Sequence, residues 1–124
     1  MNPTNIIKMV KRFTDQYGVQ VSWNELITTI NSRGKPVNTK SDIIVTAKVL
    51  LLKDKFSLLN ITDSGVFGLT QDYARFILTL PDIDIKKDMV IIDNHNRRWK
   101  LGMIDWFDVS GIPVAKQASL LEVQ

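Results

Sequence analysis

Apolar residues recur at intervals of three and four through the opening segment, "NPTNIIKMVKRFTDQYG". Ile6, Ile7, Val10, Phe13 and Tyr17 make one stripe, while Lys8, Lys11, Arg12 and Asp15 lie off it. That spacing predicts a helix over Pro3–Tyr17. Asn2 is placed to cap it, Pro3 suits a first helical position, and Gly18 supplies the stop. The period then changes to two. "VQVSW" sets Val19, Val21 and Trp23 on one face of a strand. In Asn24–Ser41 the Ser-Arg-Gly-Lys-Pro centre is rich in chain breakers, so part of that stretch is expected to be loop. "DIIVTAKVLLLKD" is dominated by β-branched residues and reads as a strand, with Val45, Ala47 and Val49 inward and Lys48 outward.

Residues 53–72 show no clean period and hold Gly65 and Gly68, which predicts a long central loop. The loop carries Phe56, Leu58, Leu59, Val66, Phe67 and Leu69, apolar groups that a solvated loop does not normally display. Two readings stand: the loop packs back on its own core, or it orders against a partner or a neighbouring copy. Beyond it, Tyr73–Leu80 and Met89–Asp93 read as strands parted by a turn at Pro81–Asp84. "NHNR" makes a hairpin tip. In "RWKLGMIDWFDV" the residues Trp99, Leu101, Met103 and Trp106 are expected inward, with Gly102 marking a bulge or a close backbone approach. "SGIP" turns the chain again, and "VAKQASLLEV" closes it as a last strand. Short strands at near-regular spacing predict a mainly β fold. The expected architecture is a small antiparallel β-barrel or sandwich over about 19–123 with one N-terminal α-helix, in a single domain of 124 residues.

Composition changes this picture mainly by exclusion. The chain has no cysteine, which removes disulfides, thiolate nucleophiles and Cys-ligated zinc. One histidine, His95, rules out a multi-histidine metal site within one copy. No cofactor or metal is therefore expected. No apolar run approaches the ~20 residues that span a bilayer. The opening residues also lack the apolar core of a secretory signal, so the protein is expected to act where it is made. A net charge of +3 permits contact with a polyanion without requiring it.

Candidate chemistry is sparse. Asp82, Asp84 and Asp88 lack the glycine-punctuated loop and closing glutamate of a calcium site, and fit a solvated turn that discourages wrong strand pairing. His95 sits at a tip without an orienting carboxylate or a pocket in view, and no serine stands in a nucleophile elbow. An enzyme is not expected. Lys86 and Lys87 at one tip, with Arg97 and Arg98 at another, are the candidate DNA-facing groups, since each cation can displace condensed counterions. Trp106 and Phe107 are adjacent and so must face opposite sides of a strand. Phe107 is an interface candidate, or else the outer aromatic is covered by the helix.

The segment "DIDIKKDMVIIDNHNRRWKLGMIDWFDVSGIPVAKQASLLEV" resembles the closing pattern of head-closure (stopper) and related head-to-tail connector proteins of long-tailed DNA bacteriophages. The matching elements are a strand entered through a charged turn, Asp88–Asp93, and the tip Asn94–Arg97. Trp99 with Leu101, the turn at Gly111 and the final strand Val114–Val123 follow. Helix Pro3–Tyr17 running straight into strand Val19–Trp23 fits as well. The tip carries Asn94-His95-Asn96 where the family usually has a glycine, and Asn24–Asp72 aligns with nothing in it.

The resemblance implies a virion structural protein of the phage neck, assembled in the bacterial host cytoplasm. It would form a homo-oligomeric ring of six or twelve copies between the portal/adaptor proteins and the tail terminator or tail tube. Such a ring would close the DNA channel after packaging, offer the tail a docking surface, and meet genomic DNA only non-specifically. The central loop, with Arg97, Arg98 and Phe107, would then supply interface. The alternatives are a tail terminator or other neck component and, from a different class, a small nucleic-acid-binding β-barrel.

Overall fold

A computed structural model describes residues 2–55 and 74–123. The loop candidates Phe56, Leu58, Leu59, Val66, Phe67 and Leu69 lie outside the described residues.

The helix α1 spans Pro3–Tyr17. Asn2 Oδ1 accepts from the Thr4 backbone N–H at 2.9 Å, and Pro3 occupies the first turn where a missing N–H costs nothing. Gly18 ends the helix in an extended conformation, not a left-handed one. A Cβ there would meet the Thr14 carbonyl oxygen at 2.3 Å and Lys48 Cγ at 2.9 Å, so glycine is needed for close approach. Lys48 Nζ donates to the Asp15 carbonyl at 2.8 Å, placing a cation at the C-terminal end of the helix dipole. The buried stripe is Ile6, Val10 and Thr14; Tyr17 falls outside it and is exposed.

Six strands follow: β1 Val19–Ile30, β2 Pro36–Leu52, β3 Phe76–Thr79, β4 Val90–Ile92, β5 Arg98–Val109 and β6 Ile112–Val123. They close into an antiparallel barrel in the order β1-β2-β3-β6-β5-β4. The β3 and β4 strands are shorter than the alternation implies and are not neighbours. β3 lies between β2 and β6, while β4 joins β5 to β1 through the single pair Ser22↔Ile92. Residues between β3 and β4 pass the barrel end, burying Ile85 and Met89 in its core.

The run Val49–Leu52 explains itself once the layers are known. Val49 and Leu51 point into the barrel with Val21, Trp23, Ile77 and Trp99. Leu50 and Leu52 point outward with Leu78 and Ala115, under Phe13 of α1. Both faces of this strand are covered, so alternation disappears.

Two expectations change. Asn24–Ser41 is mostly strand, with β1 and β2 running to a turn at Asn31–Lys35. In β5 the register shifts between Leu101 and Ile104, so Ile104 packs on the core while Met103, expected inward, is 68% exposed. Gly102 marks that bulge, as its position suggested, and a Cβ there would lie 2.2 Å from Ser119 Oγ.

Candidate interaction surface

Beyond Asn24 the β1–β2 hairpin leaves the barrel as a free two-stranded arm. The register slips between Asn24↔Ile44 and Leu26↔Lys40, leaving Ser41–Ile43 opposite Glu25 alone. Asn24 Nδ2 donates to the Ser41 carbonyl and Ser41 Oγ accepts from the Ile43 N–H, which together hold this kink. At the far end Asn31 Oδ1 accepts from the N–H groups of Arg33 and Lys35, and Gly34 takes a φ of 76°.

Among the described residues, β4 meets β1 only at Ser22 and β3 meets β2 only from Leu50 onward. Among these residues both outer edges of the arm are therefore unpaired, and beyond Leu26, which packs on the core, every residue from Ile27 to Lys40 is exposed. A lone two-stranded ribbon is marginal in water. This one also exposes Ile27, Ile30 and Val37, with Ile43 and Ile44 at its base; Ile30 is 75% exposed. Such apolar groups on open sheet edges mark a surface that gains stability by being covered.

Two cavities flank the foot of the arm. One, of about 260 Å3, has an acidic rim of Glu25, Asp82 and Asp84 over an apolar floor of Trp23, Val45 and Met89. Lys86 also lines it, 3.8 Å from Asp84. The other, of about 310 Å3, is lined by Lys40, Lys87 and Arg98, with Asn38 and Asp88. Both sit at or below the low end of the roughly 300–1,000 Å3 usual for small-molecule sites. Their size suits protein side chains or phosphate groups more than an organic cofactor.

Three of the four candidate cations divide between these cavities. The β4 strand has only three residues, so Lys87 before it and Arg98 opposite its far end reach one concavity. Lys86 turns to the acidic side. Arg97 is half-buried, and its backbone N–H donates to Asp93 Oδ1 in shaping the tip. Phe107 is half-buried and packs on the two apolar clusters beneath α1, the covered alternative of the two weighed for this aromatic pair. Trp106 is instead the exposed member, at 53%.

Sequence reading missed two features. The first is the arm, whose signal is present in "LITTINSRGKPVNT": β-branched runs flanking a short glycine-containing turn. The second is Lys116, only 6% exposed, which donates to the Ile83 carbonyl at 2.6 Å and lies 4.5 Å above the Trp106 ring. Burial holds its pKa below the ordinary lysine value, partly opposed by Asp84 and Asp82. Nothing in the spacing of the last strand marks this lysine, because its cover comes from the turn between β3 and β4.

Among the described residues no three His, Cys, Asp or Glu side chains gather as a metal site, and no helix is long and apolar enough to cross a membrane. Comparisons of the chain with protein-family models, with curated proteins and with solved structures returned no significant match, so its surface chemistry is the ground on which a function can be argued.

Proposed function

We propose that this chain is a structural protein of the neck of a long-tailed DNA bacteriophage. In this reading copies form a ring between the portal/adaptor assembly and the tail, close the DNA channel after packaging, and present the tail with its docking surface. The observation that carries the reading is the arm: a ribbon with unpaired edges and exposed isoleucines, standing off a closed barrel. Exposed apolar groups and unpaired strand edges on a protruding ribbon favour a subunit of a larger assembly, in which a partner covers them. The strand and turn pattern of Asp82–Val123 supplies the phage context. No catalytic role is assigned to any residue.

Electron microscopy of particles from a phage lacking this gene tests the reading. Tailless capsids that have lost their DNA, beside free tails of normal length, are expected. Tails of uncontrolled length would instead identify a terminator, and intact infectious virions would overturn the neck assignment.

One observation favours a second reading. Lys40, Lys87 and Arg98 converge on one concave surface, as a small nucleic-acid-binding barrel would require. That version requires tight duplex or single-strand binding that falls steeply with salt, by roughly one log unit of affinity per log unit of salt for each phosphate contacted. The neck reading expects only weak, non-specific binding.

A further inference from the structure

We infer that the tip of the β1–β2 arm docks in the acid-rimmed cavity at the foot of the arm of a second copy of this chain. This deepens the ring reading above and rests on it.

Charge distribution is the first argument. The chain carries 16 basic and 13 acidic side chains, a net of +3. The arm from Leu26 to Lys40 holds Arg33, Lys35 and Lys40 and no acid, so it accounts for the whole excess, and the remaining residues balance at 13 of each sign. The protrusion is thus cationic on a body that is neutral by count. The cavity rim presents the complementary sign with Glu25, Asp82 and Asp84. Lys86 answers Asp84, and Lys116 lies behind the rim bonded to the Ile83 carbonyl, which leaves three carboxylates against two ammonium groups. Complementary potentials of this kind steer encounter and fix register.

Geometry makes the contact intermolecular. Glu25 and Leu26, which line the cavity, are the base of the arm itself. The tip lies some six residues of extended ribbon further on, roughly 20 Å away at the usual rise per residue. It cannot fold back into its own foot, but it can reach that of a neighbour. The cavity, at about 260 Å3, accommodates a long side chain such as that of Arg33. A tip meeting a foot is a heterologous contact, which closes into a ring when the rotation permits.

The apolar flanks favour protein over nucleic acid as the occupant. Ile30 and Val37 lie just behind the cationic tip, with Ile27 nearer the base of the arm. A nucleic-acid surface is more polar and more evenly basic than this, whereas another barrel offers the Trp23, Val45 and Met89 floor.

The test is a charge swap read by light scattering after size exclusion and by sedimentation, with circular dichroism confirming the fold. Wild-type protein is expected to associate with increasing concentration. Arg33→Glu/Lys35→Glu at the tip and Glu25→Lys/Asp82→Lys at the rim should each weaken association roughly tenfold or more. Mixing the two variants should restore it, because each tip then meets a rim of opposite sign. Ile30→Thr should weaken association without lowering stability. Wild type that associates while both variants do so equally well would overturn the arm–foot contact and leave the ring reading standing. A wild type monomeric at every concentration would also overturn the contact, with the gene-deletion phenotype still deciding the neck assignment. Loss of short-duplex DNA binding in the tip variant, with association unchanged, would overturn it in favour of a nucleic-acid contact.

Discussion

The indole Nε1 of Trp99 donates a hydrogen bond to Asp93 Oδ2 at 3.1 Å, and both side chains are buried. The other oxygen of the same carboxylate accepts from the backbone N–H groups of His95 and Arg97, at 2.8 and 3.0 Å. One aspartate therefore shapes the β4–β5 tip and satisfies the polar edge of a core aromatic. Replacing Asp93 with alanine leaves a buried indole donor and two tip amides without this acceptor. Urea unfolding should show a loss of about 2–3 kcal/mol. Asp93→Asn keeps an oxygen for the tip amides and should cost less. An Asn variant as unstable as the Ala variant would mean that the indole bond, not the tip, dominates.

Two glycines separate backbone from side-chain crowding. A Cβ on Gly18 meets the Thr14 carbonyl oxygen, which cannot move without opening the end of α1. Gly18→Ala should therefore destabilise by about 2 kcal/mol, in the range of overpacked sites. A Cβ on Gly102 meets only Ser119 Oγ, while Ser119 Cβ lies 3.5 Å away. Gly102→Ala should cost less, and Ser119→Ala in the same chain should recover most of that loss. Thermal unfolding of the single and double variants decides the matter, and an additive pair would refute the clash.

The two-residue turn between β5 and β6 holds Ser110 at φ 52° and Gly111 at φ 77°, so both residues adopt left-handed backbone. That is the arrangement of a type I′ hairpin, in which Asn-Gly is preferred. Ser110→Asn should raise the unfolding free energy by about 0.5 kcal/mol, since asparagine tolerates positive φ better than serine. Gly111→Ala should lower it by about 1 kcal/mol or more even though open space surrounds that position, because the cost is conformational. A neutral Gly111→Ala would contradict the turn assignment.

Lys116 sets a pH dependence. Burial holds its folded-state pKa below the ordinary 10.5, with Asp84 and Asp82 opposing. Between the lowered value and 10.5 the unfolded chain binds more protons than the folded one, so stability contributed through this group rises with pH across that interval. Below it the lysine is charged in both states and the full burial penalty applies. The unfolding free energy of the wild type, taken relative to Lys116→Met, should therefore climb with pH across the interval that ends at 10.5. A difference that stays flat across that range would remove the linkage.

Much of the barrel was legible in the chain. The 3–4 spacing of Ile6, Val10 and Phe13 and the cap at Asn2 marked α1 within its observed limits. Alternation through Val19, Val21 and Trp23 marked the inward face of β1, because one side of that strand is buried. The arm was not legible in the same way. Ile27, Thr29, Val37 and Thr39 have no core on either side, so no period is imposed on them, and the breakers at Ser32–Pro36 mark only the turn and not the strands that flank it. Met103 was misplaced because a bulge advances the phase by one residue. Gly102 signalled that a bulge was present but not which way the next residue would turn.

The sequence by itself determined the class of fold, the helix, and the strands whose alternation or β-branching reports a buried face, since these are local consequences of side-chain periodicity. Only the tertiary structure decided which strands are neighbours, because pairing depends on contacts distant in sequence. Ser22 meets Ile92 and Leu78 meets Gln117 for no reason visible in either segment alone. It also decided the site. Glu25, Asp82 and Asp84 share a rim, and Lys40, Lys87 and Arg98 share a concavity, only because barrel closure brings three distant segments to the foot of one arm. Charge and burial are properties of places in space, and closure of the barrel made those places.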